Sequence, residues 1–285
     1  MAKMEIAIPS PENLEKLKSA IRNDGPENFH VLADFDQTLT KAFIGGRFVP
    51  SLISVLRDGS YLTADYAKKS HELFNKYHPI EIDTSLPPEV KDRAMVQWWK
   101  EHFEILFQAG LKRGDVESIV NSGKIKLREG LCDFIHFLGK RKIPLVIMSS
   151  SGLGGDALGM LLEKEGCSNG NTFFITNTLI WDDEGKAVGV KEPIIHSMNK
   201  DETILKNFPA FQKIKDRKNV LLLGNTVEDV GMAAGVPYKN LLKIGFLNEK
   251  VEENLEEFKK TFDVVLTGDP GMEYINNLLK EIFSH

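Results

Sequence analysis

Two aspartates one residue apart, Asp34 and Asp36, follow the apolar run Val31-Leu32-Ala33 in the segment Asp34-Phe35-Asp36-Gln37-Thr38-Leu39-Thr40. In an open α/β sheet, ligands gather beyond the carboxyl ends of the strands, so carboxylates placed there face a site and not a core. Asp34 is positioned to attack a phosphoryl group and form an aspartyl-phosphate, with a hard cation such as Mg²⁺ neutralising oxygens on both partners. Asp36 has the reach to protonate the leaving oxygen and then to deprotonate the attacking water. The competing reading is a helix N-cap and turn built from Asp and Thr.

A second apolar run, Leu145-Val146-Ile147-Met148, ends in Ser149-Ser150-Ser151-Gly152-Leu153-Gly154-Gly155. Small hydroxyls and bare backbone amides after a strand can approach phosphate oxygens closely. Gly152, Gly154 and Ala157 also fit the dinucleotide-binding fingerprint, although a match in mid-chain leaves the Asp34/Asp36 pair without a purpose. A third run, Val220 to Leu223, leads into Gly224-Asn225-Thr226-Val227-Glu228-Asp229, expected on the metal side of the site. Asp229 reads alternatively as a carboxylate complementing a helix N-terminus.

The elements that must hold these residues follow from the hydrophobic pattern. Short apolar runs bounded by turn residues alternate with amphipathic stretches, as buried parallel strands alternate with covering helices. The sequence predicts strands at His30 to Asp34, Pro144 to Ser149, Thr172 to Thr176, Asn219 to Gly224 and Asp263 to Thr267. A 3.6-residue period marks helices around Leu14, Leu17 and Ile21, and around Ile275, Leu278, Leu279, Ile282 and Phe283. Between Phe48 and Lys124 the strand pattern gives way to charged helical segments, one carrying Met95, Trp98, Trp99, Phe103, Leu106 and Phe107 on one side. That stretch reads as an inserted helical lobe, with an irregular loop at His78 to Pro88, where three prolines fall.

The chain has 285 residues, 42% of them hydrophobic and 27% charged, enough for one large domain or two lobes. A net charge of −5 argues against a nucleic acid polymer as partner. No apolar run approaches the ~20 residues of a membrane span, and the N-terminus lacks a basic region followed by an apolar one. A soluble cytoplasmic protein is expected, and with no coiled-coil pattern, a monomer. Cys132 and Cys167, in no metal-ligand spacing, are expected to be reduced structural thiols.

The Asp-x-Asp-x-Thr segment resembles motif I of the haloacid dehalogenase (HAD) superfamily of phosphohydrolases. Asp34-Phe35-Asp36-Gln37-Thr38-Leu39, Met198-Asn199-Lys200 and Leu221 to Ala233 resemble the DFDxTL, FNK and LLLGDSxxDLxMA segments of the cytosolic 5'-nucleotidase III (pyrimidine 5'-nucleotidase) family. The resemblance runs over nearly the whole chain and implies an α/β fold. A HAD-like Rossmannoid core, its parallel sheet flanked by helices, would span 1–47 and 125–285, with an inserted helical cap domain at 48–124.

The resemblance also implies roles. Asp34 is nucleophile and Asp36 acid and base; a motif II serine holds the phosphate, Ser149 if aligned by the strand end and Ser150 if aligned by the glycines. Lys200 occupies the motif III position, bridging Asp34 and the phosphate. Mg²⁺ would be held by Asp34, the backbone carbonyl of Asp36, Asn225 and Asp229. Asn225 departs from the family's acidic residue, and its neutral amide predicts weaker metal binding. Glu81 lies where the family carries its base-contacting glutamate, and the paired tryptophans resemble the branch that accepts 7-methylguanosine monophosphate.

The expected activity is Mg²⁺-dependent hydrolysis of small-molecule nucleoside 5'-monophosphates, UMP and CMP first, through an aspartyl-phosphate. The alternatives are preference for 7-methylguanosine monophosphate, phosphate transfer to a nucleoside, and non-catalytic nucleotide binding.

Overall fold

A computed structural model describes residues 5–49, 51–83, 85–200, 204, 206–234 and 237–283. Five parallel strands, all but the edge strand β6 fully buried, form its spine: β2 (Phe29–Ala33), β5 (Leu145–Ser149), β6 (Thr172–Thr176), β9 (Asn219–Gly224) and β11 (Val264–Thr267). They match the expected strands to within one residue at each end. Two more complete the sheet, β1 (Ile6–Ala7) and β10 (Asn240–Leu247), in the order β1-β11-β10-β9-β2-β5-β6. Only β1, at the edge, pairs antiparallel, with β11.

Side chains alternate across a strand, and here both faces are apolar. Phe29, Val31 and Ala33 of β2, with Leu221 and Leu223 of β9, belong to one buried cluster; Leu32, Val220 and Leu222 belong to another. The first face is covered by α1 (Pro11–Asp24), α6 (Leu131–Lys140), α7 (Gly154–Lys164) and α10 (Glu273–Phe283); the second by α8 (Phe211–Ile214), the 3₁₀ segment Val227–Ala233 and α9 (Val251–Thr261). The α10 stripe of Ile275, Leu278, Leu279, Ile282 and Phe283 is buried as its spacing requires.

β10 escaped the sequence pattern because Lys243 and Gly245 interrupt it. The glycine is required: a Cβ on Gly245 would come within 2.6 Å of the Phe262 ring.

Between β2 and α6 the described chain forms a small hairpin, β3 (Phe43–Ile44) with β4 (Arg47–Phe48), and then the helices α2 (Leu52–Asp58), α3 (Ala64–Ile82), α4 (Pro88–Gln108) and α5 (Arg113–Asn121). A second hairpin pairs β7 (Leu179–Trp181) with β8 (Ala187–Val190). The loop expected at His78 to Pro88 is shorter than expected: His78 to Ile82 complete α3, Asp83 and Ser85 to Pro87 are non-helical, and α4 begins at Pro88. Pro79 lies in the last turn of α3, where its missing N–H costs one hydrogen bond, and Pro88 is the first residue of α4, where no N–H is needed.

The two cysteines are likewise not the free thiols expected. Cys132, at the start of α6, and Cys167, after α7, form a disulfide with Cα atoms 4.6 Å apart. Helix packing brings them together, and residues 35 apart in sequence announce no such contact. No helix among the described residues is long and apolar enough to cross a membrane.

Candidate active site

β2 is flanked by β5 on one side and β9 on the other, the point at which successive crossovers part to opposite sides of the sheet. Loops leaving the carboxyl ends of such strands diverge and leave a crevice. Asp34, Ser149 and Asn225 stand at these three ends.

Lys200 joins the loops. Its Nζ lies 2.7 Å from Asp34 Oδ1 and 3.0 Å from Asp229 Oδ1, while Asp229 Oδ2 accepts the backbone N–H groups of Asn225 and Thr226 at 3.0 and 3.1 Å. The Thr38 hydroxyl sits 3.2 Å from Asp34 Oδ2 and 3.1 Å from Asn225 Oδ1. Asp34 and Asp229 are 6% and 3% exposed, so their charges are stabilised by these partners and little by water. Burial pushes Asp34 up to about 6; Lys200 opposes the rise and Asp229 adds to it. Burial disfavours the Lys200 ammonium, but Asp229 and Asp34 outweigh it and hold the pKa above the usual lysine range.

Asp36 has a different environment. Its Oδ1 is buried without a hydrogen-bond partner. Burial first, and the Asp34 charge second, push its pKa from 3.8 up to about 8, so it carries a proton at neutral pH. The unfolded chain, with an ordinary carboxyl, binds fewer protons between those two values, and metal-free stability therefore falls as pH rises from about 4 to about 8. Asp36→Asn should remove that slope and stabilise the metal-free protein by about 1–3 kcal/mol at pH 8. Urea unfolding in chelator at pH 6, 7 and 8 checks this, and an unchanged slope contradicts it.

Beyond Asp36, a cavity of about 220 Å³ opens between the helices and the strand-end loops. Its lining brings together Asp36 and Ser150 with Glu81, Phe74, His78, Trp98 and Trp99. Ser149, the rival of Ser150, lies outside this lining, and its hydroxyl accepts the Ser151 amide at 3.2 Å. Phe103 is packed in the core. The aromatic wall is continuous: Tyr77 stacks on Trp98 at 5.9 Å, Trp98 on Trp99 at 6.4 Å, and Phe74 on His78 at 4.6 Å.

Glu81 accepts the Ser197 hydroxyl at 2.6 Å on one oxygen, and His78 Nδ1 lies 3.2 Å from the other. Burial raises the Glu81 pKa, but His78 and Ser197 outweigh it and keep the group below the usual range. The glycines that mimic a dinucleotide fingerprint are packing devices: a Cβ on Gly152 would meet Trp99 at 2.6 Å, and one on Gly154, at φ +73°, the Asn177 carbonyl at 2.7 Å.

Sequence reasoning missed several contributors. Phe74 and His78 share a face of α3 with Glu81 at i, i+4 and i+7, a spacing that could have been read. Arg57, whose guanidinium lies 4.4 Å from the Phe74 ring centre, had no such signal. Arg128 is fully buried and straps the loop that follows Asp34: Nε donates to the Thr38 carbonyl at 2.7 Å, Nη2 to that of Gln37 at 2.5 Å, and Nη1 to Asp269 at 2.9 Å. Gln37 is held there at φ +61°, a conformation that side chains rarely adopt and that needs such support.

Among the described residues no three His, Cys, Asp or Glu side chains form a closed metal cage. Mg²⁺ does not need one, since it keeps several waters and binds through one or two carboxylates and the substrate phosphate. Asp34 and Asn225 offer two oxygens around the Thr38 hydroxyl, and the unpartnered Asp36 oxygen lies in the same loop. This all-oxygen donor set suits a hard cation.

The family model for pyrimidine 5'-nucleotidase (UMPH-1) matches residues 37–283. The 7-methylguanosine phosphate-specific 5'-nucleotidase of Gallus gallus is 33% identical over 283 residues, covering 99% of this chain and 97% of that protein. The crystal structure of cytosolic 5'-nucleotidase IIIB bound to cytidine superposes with a TM-score of 0.88 at 28% identity, covering 97% of this chain and 93% of the other. A HAD family hydrolase from Salmonella enterica, 14% identical with a TM-score of 0.55 over 96% of this chain and 80% of its own, shares the fold alone. The chain belongs to the pyrimidine 5'-nucleotidase (UMPH-1) family and is a 5'-nucleotidase, a phosphoric monoester hydrolase built on a HAD-type α/β fold.

Proposed function

We propose that the protein hydrolyses nucleoside 5'-monophosphates by way of an aspartyl-phosphate on Asp34, with helices α2 to α5 as the cap that selects the base. The observation that carries this reading is one cavity lined both by Asp36 and Ser150 and by Glu81 with the aromatic wall. A phosphate ester reaching Asp36 thus places its nucleoside against Glu81.

A carboxylate oxygen of Asp34 attacks phosphorus, and the bond to the 5'-oxygen breaks. Asp36, protonated at neutral pH by its burial, gives its proton to that departing oxygen. The resulting Asp36 carboxylate then takes a proton from the water that hydrolyses the aspartyl-phosphate, which restores both residues. Lys200 keeps Asp34 ionised and neutralises the transferring group. Ser150 binds a phosphate oxygen from the cavity wall, the position favoured by the glycine alignment. Asp34, the Asp36 carbonyl and Asn225, with Asp229 behind them, would hold Mg²⁺, which would supply charge neutralisation at the phosphoryl oxygens. Asn225 contributes no charge, which weakens that binding.

Base choice rests on Glu81 and the aromatic wall. A guanine edge offers two N–H donors to the Glu81 carboxylate, and cytosine one amine. The positive charge of 7-methylguanine adds attraction to the faces of Trp98 and Trp99. These features, with the specificity named for the Gallus gallus relative and the cytidine bound to the structural neighbour, support 7-methylguanosine 5'-monophosphate first and CMP second. That order reverses the pyrimidine preference first expected.

Phosphate release from 7-methylguanosine monophosphate, CMP, UMP and AMP, with and without Mg²⁺, tests the reading. The expected result is Mg²⁺-dependent release, with kcat/KM for 7-methylguanosine monophosphate at least about tenfold above UMP. Release that ignores Mg²⁺, or a panel led by UMP or AMP, would overturn it.

A further inference from the structure

The Ser197 hydroxyl ties Glu81 to the loop that carries Lys200, although 116 residues separate the two. The loop is rigid on its own account. Asn177 brackets Ile195, its Oδ1 accepting the Ile195 N–H at 2.8 Å and its Nδ2 donating to the Ile195 carbonyl at 2.9 Å. Asn199 closes the next turn, accepting the His196 N–H at 2.8 Å and donating to the Ile194 carbonyl at 2.9 Å. Ser197 thus presents its hydroxyl from a fixed backbone, while Glu81 stands at the end of α3 on a side chain with three rotatable bonds.

An ionised carboxylate accepts at about four lone-pair positions. Ser197 and His78 use one on each oxygen, which leaves one on each oxygen for the base. The two fixed partners also keep the carboxylate charged, so it faces the cavity as an acceptor only.

We propose that Ser197 is a positioning residue for base recognition: its hydrogen bond holds the Glu81 carboxylate in the orientation that receives the N–H donors of the base, in register with the loop that carries Lys200. This deepens the reading of Glu81 as the base-contacting group and rests on it. A freely rotating Glu81 would have to be ordered by the substrate itself, and that ordering cost would weaken binding of base-bearing esters alone. Ser197 touches neither the phosphate nor the reacting atoms, so it does not alter the chemical step.

The test compares kcat and KM for CMP, 7-methylguanosine monophosphate and ribose 5-phosphate, an ester without a base, in the wild type, Ser197→Ala, Ser197→Thr, Glu81→Gln and the Ser197→Ala/Glu81→Gln double variant. Ser197→Ala should raise KM for both nucleotides about tenfold with kcat within about twofold, as expected for losing one hydrogen bond to a charged group. Ribose 5-phosphate should be affected less than twofold. Ser197→Thr, which restores the hydroxyl, should recover most of the nucleotide affinity, and the double variant should be no worse than Glu81→Gln.

Equal losses on the nucleotides and on ribose 5-phosphate would overturn the proposal, since they would mean that Ser197 only shapes the loop. Failure of Ser197→Thr to rescue would do the same. If Glu81→Gln leaves the ratio of nucleotide to ribose 5-phosphate kcat/KM unchanged, the base-contact reading itself fails and takes this inference with it. If Glu81→Gln changes that ratio and Ser197→Ala does not, only the positioning role falls.

Discussion

Asp34→Asn should abolish turnover, lowering phosphate release from every nucleotide by at least about 10³-fold. The amide has the size of the carboxylate but lacks its nucleophilic charge, so the aspartyl-phosphate cannot form. Folding should survive. Lys200 keeps Asp229 as a partner at 3.0 Å, and Thr38 still finds an acceptor in Asn225 at 3.1 Å. Acid quenching with labelled substrate reads the same event directly: label should remain on the wild-type protein and be absent from the variant. Residual release above about 1% of wild type, in a variant that melts cooperatively, would assign the nucleophile elsewhere.

Lys200→Met should lower kcat/KM by about 10²–10³-fold and change the shape of the pH profile as well as its height. The ammonium touches both Asp34 and Asp229, and its positive charge opposes the rise that burial imposes on Asp34. Without it, the Asp34 pKa moves above the value of about 6 that it holds with the lysine in place. The ionised nucleophile is then scarcer at pH 6 to 7, so the acid limb of the single-turnover profile should shift to higher pH. A variant equally slow at every pH would mean that Lys200 stabilises only the transferring phosphate, with no hold on Asp34.

Features that depend on the local backbone were readable from residue order. Asp34, Ser149 and Asn225 each follow a buried apolar run, and a carboxyl strand end in a parallel sheet opens onto a crevice whatever the rest of the chain does. The periodic helices were legible for the same reason, since side-chain repeat follows backbone geometry over a few residues. β10 was hidden by Lys243 and Gly245, and Pro79 suggested a loop where the helix had one turn left to run.

The rest of the site is made of partners far apart in the chain, Lys200 with Asp34 across 166 residues, Arg128 with Asp269 across 141 and Ser197 with Glu81 across 116, and the disulfide of Cys132 with Cys167 across 35 is a pair of the same kind in the fold. No local period encodes such pairs. They exist because the sheet order and the packing of the helices bring their elements together. The sequence by itself determined which residues could carry the phosphate chemistry and on which strand ends they sit. The tertiary structure alone decided which serine faces the cavity, how Glu81 is held beside the aromatic wall, and the protonation of Asp36, because burial and long-range charge set these and neither is a property of neighbouring residues.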